Sequence, residues 1–175
     1  MSKSMLCVLI TLLSGPEVMA GDHDSLALSL DQQEEAKWEV GYSKRSGDVS
    51  ITELVPKGES VKNWTKLLTI QGFRKSWGSP SVQALAEEFK NALAKKCPNV
   101  VWNVIENQKN AIAYEWSIQN CAAAEDQHEI AKYIQGKWSQ FRVAYAQKTS
   151  QLDQEDRDKW LKIICDATVV IEKDK

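Results

Sequence analysis

The chain of 175 residues contains only two histidines, so metal centres and acid–base devices built on several imidazoles are excluded by counting. One of the two lies in Asp126-Gln127-His128-Glu129-Ile130-Ala131-Lys132. A His-Glu pair followed by a second His one helical turn on would bind zinc, but Lys132 stands at that second position. An ammonium has no lone pair for a metal, and the segment alternates like a strand, not a helix. Metalloprotease chemistry fails here. His128 with Cys165 would supply a base and a nucleophile, yet Cys165 sits beside Ile164 among apolar residues and reads as a buried free thiol. There is no Gly-rich phosphate loop and no Gly-x-Ser-x-Gly elbow, and no cofactor is expected.

The other histidine matters only if the chain is cut before Gly21. Lys3 makes a short positive start, and Met5 to Leu13 is an apolar run, far short of the roughly 20 residues that span a bilayer. Gly15-Pro16 breaks it, and Val18-Met19-Ala20 suits cleavage after Ala20. Residues 1–20 are therefore expected to be a signal peptide, the alternative being a buried N-terminal strand or helix, and 21–175 a single α+β domain, periplasmic or secreted. No second apolar run follows, so the mature chain is expected to have no membrane span. Cleavage would leave Gly21-Asp22-His23 at the terminus. Its amine, two backbone amides and third-position imidazole form a square-planar set for Cu(II) or Ni(II).

The third constellation is the loop Gly72-Phe73-Arg74-Lys75-Ser76-Trp77-Gly78. Arg74 and Lys75 are cations, Trp77 is a large aromatic anchor, and the loop leads to a helix N-terminus whose free N–H groups favour an anion. The alternative is that Trp77 folds back as a lid on the core while the two cations are merely solvated. With a formal net charge of −2 and pI ≈ 5.8, the chain lacks the basic excess that nucleic acid requires. The expected partner is another periplasmic or envelope protein, or a small anionic ligand.

The positioning elements follow from periodicity. Ser25 to Leu30 alternates loosely and is expected to be a first strand. Trp38, Val40 and Tyr42 alternate at period two, and Ser46-Gly47 signals a turn before Val49, Ile51 and Val55. That turn would set Tyr42 opposite Ile51 and Trp38 opposite Val55. A strand is expected over Trp64 to Gln71. Ser79 as cap and Pro80 at the first helical position open a helix with the stripe Val82, Leu85, Ala86, Phe89 and Leu93, stopped before Pro98. A second helix runs from about Gln154 to Ala167, capped by Asp153, with Trp160, Leu161 and Ile164 inward. Two hairpins lie between, the second turning near Gly136-Lys137.

In the first of those hairpins a three-residue loop, Gln108-Lys109-Asn110, sets Trp102 against Trp116, Val104 against Tyr114 and Val100 against Ile118. Other loop lengths scatter these apolar side chains over both faces, so this register wins. It also sets Cys97 opposite Cys121, which predicts a disulfide.

The order of strands, helix, two hairpins and a final helix resembles the PsbP-like α/β/α sandwich group. Asn63-Trp64-Thr65-Lys66-Leu67-Leu68-Thr69-Ile70-Gln71, after the turn at Gly58-Glu59, resembles small exported bacterial proteins with that layout. The resemblance implies a largely antiparallel sheet of about six to eight strands with two main helices packed on it, and an accessory or binding role without catalytic residues. The expected function is a non-enzymatic exported binding protein. Two alternatives are a small hydrolase or isomerase built on carboxylates, and a copper- or nickel-handling protein using its mature terminus.

Overall fold

A computed structural model describes residues 7–10 and 22–173. Of the leader expected over residues 1–20, only β1 (Cys7–Ile10) falls among them; the cleavage site after Ala20 and residue Gly21 lie outside. β1 pairs antiparallel with β2 (His23–Ser29), which pairs in turn with β10 (Thr168–Glu172). The main sheet is antiparallel and seven-stranded, in the order β3 (Trp38–Ser46), β4 (Val49–Pro56), β5 (Lys66–Arg74), β9 (Ser139–Gln147), β8 (Gln127–Gln135), β7 (Ala111–Ile118), β6 (Val101–Gln108). The one-turn helix α1 (Gln32–Glu35) leads into β3. The longer helices α2 (Val82–Lys96) and α3 (Gln154–Cys165) cover opposite faces of the sheet.

Period-two alternation explains the two cores. Ile130, Ile134, Phe141, Val143 and Tyr145 face α3 and the small sheet, meeting Trp160, Ile164, Leu26 and Leu28. Ala131, Tyr133, Ala144, Tyr114 and Trp116 face α2. There Phe89 of α2 packs on Trp102, Tyr114 and Trp116. Buried Arg142 donates to Glu129 at 2.5 Å and to Tyr114 Oη at 3.1 Å, while Trp116 Nε1 also donates to Glu129. Both charges of that pair are thus satisfied inside the core.

Several expected boundaries move. The β3–β4 turn is Gly47-Asp48, because Gly47 takes the left-handed conformation at φ +58°. Tyr42 therefore faces Glu53, and a bulge at Gly41 leaves Trp38 facing Pro56. Gly41 is also tightly surrounded, since a Cβ there would lie 3.0 Å from Val55 and Val61 methyls. Gly72, Phe73 and Arg74 are not loop but continue β5 along β9. Ser81, not Ser79, caps α2, its side chain accepting from Ala84 N–H. The Ser79 hydroxyl is occupied by Ser76 N–H instead. The expected register holds at Trp102/Trp116 and Val104/Tyr114, then slips by one across a bulge at Ile105, so the loop is the two residues Lys109-Asn110. Asp153 caps α3 as expected.

Candidate functional site

Antiparallel pairing sends alternate connections to opposite ends of the sheet, and each end gathers a distinct set of polar groups. One end holds the β3–β4, β5–α2, β6–β7 and β8–β9 connections. Arg74 closes β5, and its N–H donates to Asp48 O in the β3–β4 turn. Lys75 N–H donates to Trp138 O, and its ammonium reaches the carbonyls of Gly136 and Lys137 at 3.3 and 3.4 Å. The next residues form a turn closed twice, by Ser79 N–H to Ser76 O and by Ser76 N–H to the Ser79 hydroxyl. Gly78 at φ +82° completes it. Trp77 stands at its tip with a relative exposure of 104%. It is no lid on the core.

The structure adds residues that sequence reasoning missed. Buried Asp24 of β2 accepts from Trp138 N–H and Ser139 N–H at 2.6 and 2.7 Å, locking the β8–β9 turn. Gly136 makes room for that carboxylate, since a Cβ would lie 2.5 Å from it. Lys137 lies over the Trp138 ring, 4.2 Å from its centroid. Arg45, Arg74, Lys75, Lys109 and Lys137 make no ion pair with any described carboxylate. The exposed acids at this end are Asp22 and Asp48. No local sequence pattern joins Lys75 to Trp138; three strands intervene in the chain.

The other end carries the disulfide and a cleft of about 320 Å³. Cys97, the C-cap of α2, is joined to Cys121 with Cα atoms 5.5 Å apart, as the hairpin register predicts. In the cleft, Glu115 of β7 meets His128 of β8 and Arg157 of α3. Leu152 N–H donates to His128 Nδ1 at 3.2 Å, so the ring proton is on Nε2 and is donated to Glu115 at 2.8 Å. Arg157 donates to both Glu115 oxygens at 2.7 Å. Burial pushes the Glu115 carboxyl up, but the bonds from Arg157 and His128 win and hold it below the ordinary range. Neither imidazole nitrogen is free for a substrate proton, and the carboxylate already accepts three donors. The arrangement braces α3 against the sheet.

His128 and Cys165 do not form a dyad. The Cys165 carbonyl takes the ammonium of Lys132, which lies about 13 Å along β8 from His128 at the usual strand rise. Cys165 is half-buried at the end of α3, and burial pushes its thiol further up. That favours the inert protonated form. His23 opens β2 with its Nε2 3.0 Å from Glu172. Copper or nickel chelation with Gly21 and Asp22 would require the backbone of His23 to leave its place in that strand. Among the described residues no group of three or more His, Cys, Asp or Glu is arranged for a metal.

The fold defines an α+β protein with helices on both faces of an antiparallel sheet. In that it resembles the PsbP group. It is similar to cyanobacterial PsbP (CyanoP) from Synechocystis sp. PCC 6803, with 8% sequence identity and a TM-score of 0.49 over 90% of this chain and 98% of that one. The similarity is weak and concerns the fold alone. No family profile and no curated protein matches the sequence.

Proposed function

We propose that this chain is an exported binding or accessory protein that engages its partner through the end bearing Arg74, Lys75 and Trp77. The observation that carries this reading is Trp77, held in solvent by a turn closed by two hydrogen bonds between Ser76 and Ser79. An indole offers about 200 Å² of largely apolar surface, worth about 5 kcal/mol when removed from water. Nothing within the described chain uses it. The hydrolase or isomerase alternative would draw on the Glu115 cleft, where the carboxylate and the imidazole are both committed to Arg157 and Leu152. Export is supported by the Cys97–Cys121 bridge, a feature of oxidising compartments. No helix among the described residues is long and apolar enough to cross a membrane.

The test uses the purified protein as bait for periplasmic and envelope extracts, beside Trp77→Ala and Arg74→Ala. The expected result is a component retained by the wild type and lost from both variants at unchanged melting temperature. Equal retention by all three would overturn the assignment of this end.

A further inference from the structure

We propose that the Trp77 end docks on an anionic bilayer surface, with Trp77 entering the headgroup layer and Arg74, Lys75 and Lys137 meeting lipid phosphates. This rests on the reading of that end as the binding site and names its partner.

Three features point to a membrane. Trp77 is exposed on all sides, so no wall of a cleft faces it. A small anion would leave it uncovered, and only another surface can bury it. Indoles prefer the headgroup level of a bilayer, where the ring is in apolar surroundings and its N–H finds an acceptor.

The second feature is the distribution of apolar tips. Val49, exposed at 44%, opens β4 beside the Gly47-Asp48 turn. Ile171, exposed at 53%, pairs with Asp24, whose carboxylate holds the β8–β9 turn. With Trp77 on the β5–α2 connection, these are single apolar side chains on separate elements, β4 and β10, rather than one continuous patch. A protein interface needs a contiguous, closely packed centre. A fluid lipid surface can receive separated tips.

The third is charge. Lys75 is fixed by backbone carbonyls, which orient the ammonium without neutralising it. Arg74 has no carboxylate partner among the described residues, and Lys137 rests on the Trp138 ring. Cations beside an interfacial tryptophan complement an anionic leaflet and lose their attraction as salt rises.

The experiment is co-sedimentation of the purified protein with vesicles of phosphatidylcholine alone and of phosphatidylcholine mixed equally with phosphatidylglycerol. Binding to the mixed vesicles only is expected, with loss at high salt and a blue shift of tryptophan emission. Trp77→Ala should weaken it at least about tenfold, and Arg74→Ala or Lys137→Ala about fivefold each. Inorganic phosphate at matched ionic strength should not compete. Failure to bind mixed vesicles, binding indifferent to Trp77→Ala, or competition by inorganic phosphate would each overturn the membrane assignment. If vesicles fail while Trp77→Ala still loses an extract component, the partner is a protein and the binding end stands. If neither readout responds to Trp77, both readings fall.

Discussion

The two ends of the sheet use similar residues to opposite effect. At the disulfide end, Glu115 takes Arg157 and His128, Glu34 takes Lys37, Lys159 and Trp38, and Lys66 takes Asp156. These pairs join α1 and α3 to each other and to the strands. At the Trp77 end Lys75 bonds to backbone carbonyls, Lys137 lies on a ring, and the Trp77 indole is left in water. The turns there are held by carbonyls, a serine hydroxyl and buried Asp24. One end pairs buried carboxylates across helices and strands and so braces the fold, whereas the other leaves an indole in solvent.

The sharpest way to break this contrast is to remove the bridge. Replacing Cys97 and Cys121 together by Ala should cost about 3 kcal/mol, read as the shift of a denaturant midpoint. Binding through Trp77 should persist under conditions where the variant remains folded. Loss of both at once would show the ends to be coupled.

Glu115→Ala comes next. It leaves Arg157 and His128 without their acceptor, and because Arg157 is partly exposed the cost should be about 2 kcal/mol. Arg157→Met in the same background should restore part of it, since an unpaired cation is then no longer held at the cleft. An absence of coupling in that double-mutant cycle would contradict the bracing role.

Acid should act on the same end. Burial opposes ionisation of Glu34, but hydrogen bonds from Lys159, Lys37 and Trp38 hold its pKa at about 2. A carboxyl lowered on folding stabilises above its unfolded pKa and loses that contribution as pH falls through the folded value. Stability should therefore decline between about pH 4.5 and 2 by on the order of 2 kcal/mol from this group. Glu34→Gln should flatten that part of the profile, which thermal melts across the range would reveal.

The smallest effect on stability belongs to the other end. Trp77→Ala should move the unfolding free energy by less than about 0.5 kcal/mol, as for an exposed side chain without partners. A loss of several kcal/mol would mean that the indole is structural and would erase the distinction between the ends.

Much of the scaffold is legible in the sequence. The stripes of α2 and α3, the Asp153 cap and the Trp102/Trp116 pairing all follow from local periodicity, and the Cys97–Cys121 bridge follows from that pairing. The errors lie where one residue tips a local balance. Gly47 with its positive φ moved the β3–β4 turn by one position, and the bulge at Ile105 turned a three-residue loop into two. Ser81 rather than Ser79 caps α2, because the Ser79 hydroxyl already accepts from Ser76 N–H.

The candidate site was only half visible. Arg74, Lys75 and Trp77 are neighbours in sequence, so their types and spacing could be read directly. Their exposure, and their union with Lys137, Trp138 and Asp24, depended on how β5, β9, β8 and β2 are ordered in space. Glu115, His128 and Arg157 are separated by up to 42 residues. Charged residues on otherwise apolar strands were the one signal, and it gives no partner. Periodicity and turn chemistry are local properties of a chain, and they determined the elements, their faces and the bridge. Which charges were neutralised and which remained open was decided by strand order and helix docking, because ion pairing depends on distances that only the folded sheet sets.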